Sequence, residues 1–200
     1  MPPGDKPVCT NIARLLLPLL ASIVLACLLT SCLSSKSEAT THSRPEPSTR
    51  NNCLSLLHQL LEEQKDVSLL RFIKKEHSDL KSLIKKIAST SAAEGKLLEK
   101  FAKEDPSIRL DDIDLPPGET ATRDSIASTK KKQLLGHSGD DFELTLLLTQ
   151  TEALSYAWHL AIVAGENEPQ PDRARALAGI GEDMKNLYQE VFAMLLSREK

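Results

Sequence analysis

Apolar residues fall in three successive patterns along this chain. From Leu15 to Leu29 they run on without a charge or a period, from Leu33 to Arg50 they thin out among serines, threonines and prolines, and from Asn51 onward they return every three or four residues. The third pattern is that of amphipathic helices, whose one face collects every third or fourth side chain. It is plainest from Leu69 through Ile73, Leu80 and Ile84 to Ile87, and from Leu177 through Ile180, Met184, Leu187 and Val191 to Leu195. No strand-like alternation of comparable length accompanies it, so the body of the chain is expected to be all-α.

Caps and breakers divide that body. A first helix is expected from about Asn52 to Lys65 and a second from Asp66 or Val67 to Ser89, with Asp66 as the N-cap between them; one long helix would satisfy the same pattern. A short helix from about Glu94 to Lys103 ends at Asp105-Pro106, and Leu115-Pro116-Pro117-Gly118 stops any helix there. A further helix is expected from about Thr120 to Leu135. After the break at Gly136-His137-Ser138-Gly139, Asp140 or Asp141 caps a long helix from Phe142 to about Ala164, and Gly165 to Pro171 turns the chain into a last helix reaching Ser197. Four main amphipathic helices with short extra helices and short connections pack most simply as an antiparallel bundle.

The first pattern has a different meaning. Lys6 and Arg14 precede fifteen uncharged residues, Leu15 to Leu29, interrupted by Pro18. That length suits a signal peptide better than a membrane span, which takes about 20 apolar residues. Leu29, Thr30 and Ser31 before Cys32 resemble the lipobox of bacterial lipoproteins, and Cys27 is a weaker second position of the same kind. The resemblance implies cleavage before Cys32 and lipid on its sulfur. Residues 1–31 are thus expected to be a lipoprotein signal peptide, 32–50 the lipidated cysteine and a disordered polar tether, and 51–200 the helical-bundle domain. A flexible tether of this length would span about 25 Å on average. The remaining roughly 150 residues suffice for one domain that buries about 70% of its chain surface.

Composition removes several alternatives. With 25 basic and 28 acidic residues, a net charge of −3, the chain has no overall pull toward nucleic acid. Of its four cysteines, Cys9, Cys27 and Cys32 lie in or at the end of the signal, and Cys53 alone cannot build a disulfide framework. Leu54, Leu56 and Leu57 around Cys53 supply no charge that would activate its thiol. Lys130-Lys131-Lys132 reads as a solvated helix face, and Gly179-Ile180-Gly181, with no strand before it, as a site of close helix packing.

What chemistry the pattern offers lies in a few polar residues on helix stripes. His77 falls in the stripe 73, 77, 80, 84, 87 and is expected to point into the core, where an imidazole needs a partner. Glu152 and His159, seven residues apart, share a stripe with Leu144, Leu148 and Ile162, about 10 Å from each other along the axis. Glu62 and Glu182 are carboxylates that a bundle could bring to these histidines. A di-iron bundle needs Glu-x-x-His twice, and no glutamate here has a histidine three residues later. Nor can Ser-His-Asp, Cys-His or paired-carboxylate catalytic sets be assembled.

Leu134-Leu135-Gly136, Asp141-Phe142 before a long apolar helix, Phe72-Ile73-x-x-Glu76-His77 and Asp114-Leu115-Pro116 together resemble a family of bacterial envelope proteins, ferritin-like helical bundles of unknown function labelled outer-membrane proteins. The resemblance covers about residues 52–198. His77 matches a histidine of that family, whereas the family's second histidine would fall on Leu154. The resemblance implies a ferritin-like arrangement of the bundle. The expectation is therefore a lipoprotein held to the membrane through Cys32, in the outer membrane facing the periplasm. Its bundle is expected to be structural or to bind an envelope protein partner, with no catalysis, no cofactor and no nucleic acid. The alternative is a ferritin-like protein that binds a divalent or iron-type metal through His77 with Glu62, Glu152, His159 and Glu182.

Overall fold

The computed structural model describes residues 48–72 and 77–198, with backbone alone for 70–72. The expectations for the signal segment, Cys32, Cys27 and the tether up to residue 47, and for Ile73 and Glu76, lie outside the described residues. Within them the chain is helical throughout, with five α-helices and a 3₁₀ segment: α1 Thr49–Lys65, the 3₁₀ turn Asp66–Phe72, α2 Ser78–Glu104, α3 Pro117–Gly136, α4 Gly139–Glu166 and α5 Pro171–Arg198. No helix among the described residues is long and apolar enough to cross a membrane.

Several helices begin at residues suited to a helix start, where the first N–H groups have no partner within the helix. Ser48 caps α1, its Oγ accepting from the Asn51 N–H at 3.3 Å. Pro117 opens α3, where a missing N–H costs nothing. Gly139 starts α4 with φ 57°, a left-handed backbone that a side chain would strain, and Asp140 and Asp141 place negative charge in its first turn. α5 opens on Pro171 and Asp172.

Two expected boundaries change. The second helix does not begin at Asp66. Residues 66–72 form a 3₁₀ turn with Leu69 54% exposed, and α2 starts only at Ser78. Leu69 thus belongs to the 3₁₀ turn and not to the helix, and His77 stands just before α2. The break expected between Ser89 and Glu94 is absent, because α2 continues through the stretch expected to be a separate short helix. Its buried residues Leu80, Ile84, Ile87, Ser91, Gly95, Leu98 and Phe101 keep one stripe across the serine-rich stretch, so tertiary burial overrides weak local helix propensity.

The core joins α1, α2, α4 and α5, with α4 and α5 the most extensively packed pair. Small residues bring those two close. A Cβ at Gly181 would stand 3.7 Å from Ala161 Cβ, Ile162 Cγ1 and Trp158 Cδ1, as expected for a glycine at a helix contact. α1 packs on both α2 and α4, and α2 also touches α5. α3 is different: it has no fully buried residue and packs mainly on α4. The loop between α2 and α3 is stitched to α1 instead. Asn51 donates to Ser107 O at 2.7 Å, Ser55 to Arg109 O at 2.6 Å and Asn52 to Asp114 O at 2.9 Å, and Ile108 is buried beneath them.

Candidate functional site

The polar residues singled out on helix stripes do not converge. His77 lies at the N-cap position of α2 with its side chain 62% exposed, not in the core, because the helix that was to carry it inward begins one residue later. Its backbone N–H donates to Glu143 Oε1 at 2.6 Å and its Nδ1 lies 2.9 Å from both carboxylate oxygens. Glu143, buried at 3% exposure in the first turns of α4, also receives Arg198 from the end of α5 at 3.3 Å. Arg198 in turn reaches both oxygens of Asp79 at 3.0 Å. The Leu80 N–H and then Arg198 hold the Asp79 carboxyl below the usual carboxylate range. One end of the molecule is thus tied by a knot of three helix termini, and a guanidinium fills the cation position beside the His77–Glu143 pair.

The stripe of Glu152 and His159 faces outward. α4 buries Phe142, Leu146, Leu147, Gln150, Leu154, Ala157 and Ala161, while Leu144, Leu148 and Ile162 are 40%, 46% and 37% exposed. The helix carries apolar residues on all sides, so periodicity alone did not distinguish its inner from its outer face. Glu152 pairs with Lys130 of α3, and His159 donates from Nδ1 to Ser155 O at 2.7 Å beside the Trp158 ring. Glu182 is exposed on α5, 3.3 Å from Lys185. These three residues and His77 therefore serve separate local contacts.

Only Glu62 joins a group of the sought kind. Among the described residues, the single set of three histidine or acidic side chains with ligand atoms all within 4.8 Å of one another is His58, Glu62 and Glu99. His58 and Glu62 stand four apart on α1, on one face, and Glu99 comes from α2. His58 Nε2 is shut off from solvent, has no hydrogen-bond partner, and lies 3.7 Å from Glu99 Oε1. Gly95, one turn before Glu99, makes room for the Glu62 carboxylate: a Cβ there would sit 3.3 Å from Glu62 Oε1. Lys65 rests on Glu62 from the next turn. The His58-x-x-x-Glu62 spacing was visible in the sequence. Glu99 was not, because the stretch that holds it looked like a separate short helix.

Two further charged arrangements complete the surface. At the other end of the molecule Glu168, its side chain fully buried, receives Arg173 at 2.9 Å and Arg50 at 3.5 Å, and Arg173 also reaches Asp105 at 2.8 Å. This knot joins α1, α2, the α4–α5 turn and α5. Between α2 and α5, burial, the neighbouring Asp183 charge and a hydrogen bond to Asp183 hold the Glu94 carboxyl above its ordinary range. Burial also pushes the Cys53 thiol up, so it is a packing residue and not an activated nucleophile. Comparison with family models, curated proteins and solved structures finds no match for this chain.

Proposed function

We propose that this chain is a membrane-anchored lipoprotein of the bacterial envelope, in the outer membrane facing the periplasm. Its ferritin-like helical bundle docks a partner protein and catalyses nothing. The arrangement is supported by the direction of contacts. His58 meets Glu99 while Glu62 meets Gly95, so α1 and α2 run oppositely. Asp79 meets Arg198 and Lys86 meets Glu190, so α2 and α5 do as well. Gly181 faces Ala161 and Gly165 faces Leu177, which reverses α4 against α5. α2 and α4 then share one direction, and the chain between them must return along the whole bundle. α3 makes that return, a single long crossover of the kind that marks ferritin-like folds.

The observation that carries the docking role is the outer face of α4. α3 lies on it through Leu134, half-buried against the core, and through polar contacts, Lys130 with Glu152 and Arg123 over the Tyr156 ring at 5.0 Å, with none of its residues fully buried. Ile126 and Leu135 of α3 and Leu144 and Leu148 of α4 stay 40–49% exposed there. Apolar surface of this kind, rimmed by charge, is what partner proteins cover. The anchor rests on Leu29-Thr30-Ser31-Cys32 alone. It is tested by feeding cells a fatty-acid analogue: the chain should be labelled and processed, and Cys32→Ser should abolish both. Unchanged processing of Cys32→Ser would refute the anchor.

A further inference from the structure

We propose that His58, Glu62 and Glu99 form a binding site for a first-row divalent metal ion, Zn²⁺ in preference to Mn²⁺, on the seam between α1 and α2. This goes beyond the docking role and does not depend on it. Three features beyond the mere presence of carboxylates point to it. The His58 Nε2 atom is held away from water with no hydrogen-bond partner, on a side chain only 21% exposed, so a ring nitrogen is left for a ligand to engage. Both carboxylates that face it sit on flexible, partly exposed side chains, 38% for Glu62 and 45% for Glu99. The backbone of α2 is opened at Gly95, where any larger residue would press on Glu62.

A metal bound by one imidazole and two carboxylates needs ligand atoms about 2.0–2.2 Å from the ion, hence closer to one another than the present spacing within 4.8 Å. The contraction falls on the two partly exposed glutamate side chains and leaves the helices where they are. Lys65 is the cost. Its ammonium already neutralises Glu62 and feels Asp66 and Glu99, and it must swing away to admit the ion. The imidazole turns the preference from Mg²⁺ and Ca²⁺ toward borderline ions, and among these Zn²⁺ outranks Mn²⁺ for the same ligands. Three protein ligands on a half-open seam leave at least one coordination position to water.

The test is a titration of the full chain, stripped with a chelator and kept reduced, with ZnCl₂ and separately MnCl₂. It is followed by calorimetry and by elemental analysis after dialysis. One equivalent of Zn²⁺ is expected, with affinity falling at least about tenfold in His58→Gln and in Glu99→Gln. Gly95→Ala should weaken binding through Glu62, Lys65→Met should not weaken it, and His77→Gln and His159→Gln should leave it unchanged. Glu99→Gln is a surface change on a long helix and keeps the test valid should His58→Gln fail to fold. Absence of binding by the native chain would overturn the site. So would Zn²⁺ affinity left undiminished by Glu99→Gln, or lost with His77→Gln.

Discussion

Single residues carry unequal weight at the two tied ends of the molecule. Glu143 is almost wholly buried and accepts from the His77 backbone, the His77 ring and Arg198. Glu143→Ala would strand those donors, and in chemical denaturation it is expected to cost about 3 kcal/mol. His77→Ala, at a side chain exposed to water, should cost less than about 1 kcal/mol in the same measurement. Glu94 works in the opposite direction. Its carboxyl is held above the usual range in the folded state, so its contribution to stability is present below the unfolded pKa and is lost as pH rises through the folded value. Glu94→Gln is therefore expected to raise the melting temperature at pH 7 and to flatten the decline of stability from about pH 4 upward, and thermal unfolding across that window reads both. Of these residues the sequence displayed His77 and hid its partner. Glu143 lies 66 residues away and its role depends on where two helices begin.

At the scale of elements, helix type was legible because the apolar period is 3.6 nearly everywhere, and the ends of α1, α4 and α5 fall within three residues of the positions that caps and breakers indicate. Two things were not legible. The 3₁₀ turn at 66–72 carries apolar residues at a spacing that imitates an α-helix, and α4 is apolar on every side. A pair of substitutions separates its faces: Leu147→Ala, in the core, is expected to cost about 2–5 kcal/mol, whereas Leu148→Glu should change stability by less than about 0.5 kcal/mol. α3 stands apart for a physical reason. With no buried side chain it draws little from the hydrophobic effect, so its amides should exchange with solvent well before those of α4 and α5, as native-state hydrogen exchange by mass spectrometry would record.

For the molecule as a whole, the buried stripes of four helices and the two ion-paired knots fix the bundle, while Ile126 of α3 and Leu144 and Leu148 on the outer face of α4 stay 40–49% exposed. The docking role is therefore the claim on which the functional account turns. It is met most directly by placing a photoreactive amino acid at Leu148 in cells that make the protein and irradiating them. The expected result is one discrete protein adduct, absent when the photoreactive residue stands at Lys96 on the surface of α2 and lost when Leu144 and Ile126 are changed to Glu. No adduct at Leu148 beyond that at Lys96, or an adduct indifferent to the Leu144→Glu and Ile126→Glu changes, would contradict it.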